Sequence, residues 1–155
     1  MHSGAGQPVR VWPLERWQRI VQHLRQDCWL VQVACDPSQE QWWLDHGETG
    51  VTAPGNVKVL LNLLAGAQVF LGNDSGPGHL AALCGLPTFT IFGPQLPEWF
   101  APLHPEARWI SGKECPHKPC FDNCRFPRPH CLLDVSMDEV WAAVQRFVER
   151  NCHRA

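Results

Sequence analysis

The chain has 155 residues, 45% of them apolar and 18% charged, with thirteen basic against fifteen acidic side chains and a formal net charge of -2. That composition excludes a disordered chain and supplies enough apolar material for the core of one ordinary domain. There is no basic footprint for nucleic acid, no apolar run long enough to span a membrane and no signal-type start, so a soluble, cytoplasmic protein without a nucleic-acid partner is expected.

In chain order, His2-Ser3-Gly4-Ala5-Gly6 reads as a glycine-rich loop with no strand in front of it. The sheet position preceding it is therefore expected to stand open, inviting pairing or instability. Pro13 fits the start of a helix in which Leu14, Trp17, Ile20, Val21 and Leu24 form an apolar stripe, with Arg16, Arg19 and Arg25 on the wet side. Residues 29–34 are short, apolar and valine-rich, as a buried strand would be. A helix over 38–44 follows, then one capped by Asn56 and carrying Val57, Leu60, Leu61 and Leu64. Strand-like residues 68–71 lead through Asp74-Ser75-Gly76-Pro77 into a helical stretch over 79–84, which Gly85 and Pro87 end before a strand over 88–92. This alternation predicts an α/β domain with a parallel sheet and helices on both faces. Beyond Gly93 prolines interrupt the pattern: residues 108–110 make at most one short strand, and about 112–133 form a Cys/Pro-rich excursion, either ordered or a flexible flap. Ser136 and Glu139 make a capping box for a final helix presenting Val140, Val144, Phe147 and Val148 on one face.

Two loops occupy the place where an open parallel sheet binds ligands, beyond the carboxyl ends of its strands. In the first, Ser3-Gly4-Ala5-Gly6 lets backbone N–H groups approach an anion, with Arg10 close in sequence; a tight turn alone is the competing reading. The second is Asn73-Asp74-Ser75-Gly76-Pro77-Gly78-His79. There Ser75 offers a hydroxyl, Gly76 and Gly78 leave their N–H groups uncovered, and the following helix points its positive end at the site, an arrangement suited to a diphosphate. Asp74 is placed to accept from sugar hydroxyls and His79 to donate to a phosphate oxygen; an ordinary cap beside a core histidine is the alternative for either residue alone.

The run Gly72-Asn73-Asp74-Ser75-Gly76-Pro77-Gly78-His79-Leu80-Ala81-Ala82, then Gly85-Leu86-Pro87-Thr88 and Ile91-Phe92-Gly93-Pro94, closely resembles the donor-domain signature of glycosyltransferase family 9, the ADP-heptose lipopolysaccharide heptosyltransferases. His2-Ser3-Gly4-Ala5-Gly6 with Trp12-Pro13-Leu14-Glu15-Arg16-Trp17 is similar to the loop and helix opening the same domain. The resemblance implies the C-terminal half of a GT-B glycosyltransferase: a Rossmann-like domain over 1–155 that holds the nucleotide sugar, its N-terminal acceptor domain absent. It further implies donor contacts from Ser3, Gly4, Arg10, Asp74, Ser75, Gly76, Pro77 and His79. Arg10 stands where family members usually carry a lysine before the Trp-Pro pair, and an acid after the second strand, Asp36 or Glu40, is expected at the ribose. Transfer would proceed by direct displacement with inversion, leaving ADP, onto a lipopolysaccharide-type core acceptor, with peripheral association with the inner membrane. The general base lies in the absent domain, so no catalytic residue is expected here beyond leaving-group support from Arg10 and His79. No cofactor is required on that scheme.

Of the eight cysteines, Cys28, Cys35, Cys84 and Cys152 are dispersed, and Cys84, among small helical residues, reads as a core thiol. Cys115, Cys120, Cys124 and Cys131 cluster, with His117 and His130 interleaved. Four thiolates suffice for zinc or an iron-sulfur cluster, but two-residue knuckle spacing is missing and free or opportunistically paired thiols are the favoured expectation. Arg125 and Arg128 read as acceptor contacts or as solvated charges, and Trp99 as a donor cover. The Trp42-Trp43 pair reads as core or, less simply, as a base-stacking platform. The rival to the transferase reading is a stand-alone or truncated nucleotide-sugar binding module without transferase activity.

Overall fold

A computed structural model describes residues 1–153. Three strands carry full ladders. β1 (Phe70–Asn73) pairs in parallel with β2 (Thr88–Phe92), from Phe70↔Thr88 to Asn73↔Ile91, and β2 pairs in parallel with β3 (Arg108–Ser111), from Phe89↔Arg108 to Phe92↔Ser111. Single parallel bridges extend the order on the other side: His2 with Gly72, His2 with Ala34, and Ala34 with Thr52. Counting these as strand positions, the sheet runs 3-2-1-4-5-6, the doubly wound order whose reversal lies between the first and fourth positions.

The segment expected as a strand over 29–34 is reduced to the bridge at Ala34, with backbone bonds confined to its carboxyl end: the Met1 amino group donates to the Gln32 carbonyl, Ala34 N–H to the Met1 carbonyl, Cys35 N–H to Thr52, and Thr52 N–H to Val33. The sheet position expected to stand open is occupied at its carboxyl end. His2 N–H donates to Leu71 and Ser3 N–H to Ala34, so three residues bridge the two halves of the sheet.

Helix α1 (Leu14–Gln26) starts after Pro13 and buries Trp17, Ile20, Val21 and Leu24, each worth about 1.5–3 kcal/mol relative to exposure. It ends with Cys28 at φ 64°, where Cys28 N–H returns to Arg25 and Trp29 N–H to Leu24, a left-handed stop made without glycine. Arg16, expected in solvent, instead donates to the carbonyls of Leu133 and Val135 at 2.7 Å, because the excursion's return leg ends beside it. Arg25 keeps its exposure but grips Glu48 through two nitrogens. Helices α2 (Glu40–Asp45) and α3 (Val57–Ala65) follow, the latter capped by Asn56, which accepts from Val59 N–H.

Helix α4 (Gly76–Leu83) begins three residues earlier than its apolar pattern indicates, since Pro77 is tolerated in a first turn. Gly85 at φ 79° closes it, with Leu86 N–H returning to Ala81, which gives the Gly85-Leu86-Pro87 run its purpose. Cys84 is exposed at this C-cap rather than in the core; Cys35 and Cys131 are the buried thiols. The short α5 (Pro97–Phe100) and α6 (His130–Leu133) flank β3, and α7 (Met137–Asn151) closes the fold behind the Ser136–Glu139 capping box. Helices α1 and α7 cover one sheet face, where Trp17, Val140 and Phe147 meet Leu71, Phe89 and Ile91. Leu64 of α3 and Ala81 of α4 cover Phe70 on the other.

Candidate functional site

The excursion is closed at its base by tight backbone packing. A Cβ on Gly112 would collide with the Cys131 carbonyl, and one on Gly93 would meet Leu132 Cβ at 2.6 Å, so backbone approach at these glycines holds both legs together. Between them the chain swings over the carboxyl ends of the strands.

That is where the two sequence loops meet. Asn73, the last residue of β1, is fully buried; its Oδ1 accepts from Trp12 N–H (3.1 Å) and Trp17 Nε1 (3.3 Å), and its Nδ2 donates to the Ser3 carbonyl (2.7 Å). One amide therefore ties β1 to the first loop and to α1. Ser3 is wholly buried, its hydroxyl donating to Gln39 Oε1 and accepting from Trp43 Nε1, both at 2.9 Å, so its polar groups are engaged inside the protein. The same bond places Trp43 in the core, away from any stacking surface. Gly4 N–H donates to His2 Nδ1, and a Cβ at Gly4 would strike the Asp36 carboxylate. Asp36 thus stands against the first loop, whereas Glu40 is exposed at the start of α2.

Across the gap, Asp74 is 3% exposed, with its backbone N–H on the Ile91 carbonyl. Burial pushes its carboxyl above the usual range, partly offset by Arg10 and His79 nearby. Arg10 Nη1 approaches Asp74 Oδ2 at 3.4 Å without making a hydrogen bond. Ser75 occupies the N-cap position of α4, yet its hydroxyl donates to the Asn73 carbonyl rather than capping, which leaves the helix end open. A Cβ at Gly76 would meet nothing within 4 Å, Pro77 follows in the first turn, and His79 is exposed. The crevice therefore combines an unblocked helix N-terminus, a guanidinium and a buried carboxyl, the complement of an anion attached to a hydroxylated group.

Two residues of this site escaped sequence reasoning. Asp122, in the excursion, takes Arg10 Nε and Nη2 on its two oxygens at 2.6 and 2.7 Å. Gln95, 1% exposed in the loop after β2, donates to Asp122 Oδ1 at 3.4 Å. Neither carries a local sequence signal, because each acts across the fold. Arg125 and Arg128 are exposed, and Trp99 is 66% exposed on α5. Cys115, Cys120, Cys124 and Cys131 line one small cavity with His117 and His130. Among the described residues, however, no three Cys, His, Asp or Glu side chains come close enough to hold a metal ion; all the thiols are free, and burial pushes those of Cys120 and Cys131 up. An open groove of about 720 Å³ lies at the amino ends of the strands, remote from this crevice, bordered by Met1, Val31, Val69 and Val148. Among the described residues no helix is long and apolar enough to cross a membrane.

The family model for glycosyltransferase family 9 (heptosyltransferase) matches residues 1–130. Lipopolysaccharide heptosyltransferase 1 of Pseudomonas aeruginosa is 29% identical over 118 residues, covering 71% of this chain and 32% of that protein. The structure of E. coli ADP-heptose LPS heptosyltransferase II superposes with a TM-score of 0.74 at 18% identity, over 96% of this chain and 45% of that one. The dodecameric iron-containing heptosyltransferase TibC of enterotoxigenic E. coli, in complex with ADP-D-β-D-heptose, superposes with a TM-score of 0.70 at 17% identity, over 97% of this chain and 45% of that one. The chain thus spans about a third of the curated relative's length. TibC is described as iron-containing.

Proposed function

Because the chain belongs to glycosyltransferase family 9, we propose that it is the donor-binding half of a GT-B heptosyltransferase-type enzyme, seating ADP-heptose or a closely similar nucleotide sugar. The observation that carries this is the meeting of the Gly4 and Asp74-Ser75-Gly76 loops, held together by Asn73, at the point where the strand order reverses.

In this reading the diphosphate lies against the open N-terminus of α4, with Gly76 giving it room and the helix dipole favouring its charge. Arg10 and the exposed His79 balance the charge that grows on the leaving diphosphate during inverting displacement. Asp74 accepts from the sugar hydroxyls, and Asp36, beside Gly4, is the better placed of the two acids for the ribose. Ser3 and Pro77 shape the site. The base that activates the acceptor hydroxyl belongs to an N-terminal partner domain, through which a lipopolysaccharide-type core is addressed in the cytoplasm, at the inner-membrane surface.

Calorimetric titration with ADP and ADP-sugars tests the site. We expect binding, weakened about tenfold in Asp74→Ala, and likewise in Ser75→Ala, whose hydroxyl turns from the Asn73 carbonyl to the phosphate when the donor binds, each the equivalent of one lost hydrogen bond to a charged group. Unchanged affinity in both variants would sink the assignment.

A further inference from the structure

Arg10 stands between two carboxylates that hold it unequally. Its Nε and Nη2 donate to the two oxygens of Asp122 at 2.6 and 2.7 Å, the parallel-bond geometry that fixes a guanidinium in plane and direction. Its Nη1 approaches Asp74 at 3.4 Å and makes no hydrogen bond. Asp122 is itself met by the buried Gln95 amide at 3.4 Å, and it is aimed inward by a turn in which Phe121 and Asp122 both adopt left-handed backbone, φ 46° and 70°. A chain of contacts thus runs from the loop after β2, through the excursion, to a cation on the opposite lip of the crevice.

We infer that Asp122 is a positioning residue for the donor site: it fixes the back edge of the Arg10 guanidinium so that Nη1 faces the crevice, available to a phosphate oxygen of a nucleoside diphosphate. Arg10 needs such a hold. It sits in a 3-10 turn (Pro8–Arg10) following a glycine-rich loop, is part-exposed, and has a long side chain whose rotamer freedom would otherwise be lost on binding the ligand. The excursion is on this account a wall of the donor site. The inference rests on the donor-site reading above.

The test titrates the full chain with ADP in the wild type, Asp122→Asn, Asp122→Glu, Arg10→Ala and the double variant Arg10→Ala/Asp122→Asn. Thermal melts are recorded for each, and the Arg10 Nε–H resonance is followed in ligand-free protein. We expect the wild type to show an exchange-protected Nε–H that Asp122→Asn loses. ADP affinity should fall about tenfold in Asp122→Asn, one charge-assisted hydrogen bond's worth. It should largely return in Asp122→Glu and fall no further when Asp122→Asn is added to Arg10→Ala, because the two residues act as one unit. A wild type that binds no ADP while the protected resonance is present overturns the donor reading, and this inference with it. ADP binding in the wild type with equal or tighter binding in Asp122→Asn overturns the inference alone, tighter binding making Asp122 a competing anion. A loss of the same size in the Arg10→Ala background also overturns it, since Asp122 would then act through the fold.

Discussion

At the scale of single residues, Asn73 does more to hold the crevice together than any group that faces it. Its three bonds satisfy a backbone N–H, an indole N–H and a carbonyl, all in the interior. Asn73→Ala would leave the Trp12 and Trp17 N–H groups without partners and the Ser3 carbonyl with only the long Gln39 bond, and the expected cost is about 3 kcal/mol of unfolding free energy, read as a lowered midpoint in urea denaturation. A loss under roughly 1 kcal/mol would mean the site is held by something else. The sequence pointed to the loop containing Asn73 but assigned the residue no task, since an asparagine at a strand end looks like turn chemistry. Asp74, Ser75 and Gly76 were legible because their neighbours in sequence are also their neighbours in space. Asp122 and Gln95 were not, because nothing local marks a side chain whose partner is 112 positions away.

At the scale of elements, the amphipathic helices α1 and α7 and the buried strand β2 were readable from periodicity, and the capping box fixed the start of α7. The strand over 29–34 was not, because neither burial nor pairing follows from apolar composition: Leu30 is fully exposed, and only Val33 and Ala34 are buried. The closure at the base of the excursion is illegible for a related reason: it comes from Gly93 and Gly112 pressing against Leu132 and Cys131, contacts that composition does not reveal. Gly112→Ala should therefore spring the loop. We expect it to weaken ADP binding at least as much as Asp122→Asn does, and to shift the Arg10 Nε–H resonance, while the capped α7 keeps its far-ultraviolet helix signal. Unaltered ADP binding in Gly112→Ala would show that the docked excursion is dispensable.

At the scale of the whole molecule, the proposed reading makes this chain the donor side of a two-sided reaction. If the transferase reading holds, sugar transfer to a lipopolysaccharide-type acceptor should be absent with this chain alone and appear when a family N-terminal domain is supplied separately. Donor binding without transfer in either case would favour the binding-module reading. The order of the sheet also bears on how the site comes into being. The three residues at its centre, Met1 to Ser3, bond to β1 on one side and to residues 32–34 on the other, and Ser3 joins Asn73 across 70 positions. Such distant closures are slow and are rewarded only once the intervening chain is in place. During folding the ladder of β1 to β3 can assemble without the amino-terminal residues, but the crevice cannot. The crevice therefore rests on contacts of much longer sequence separation than those of the β1–β3 ladder.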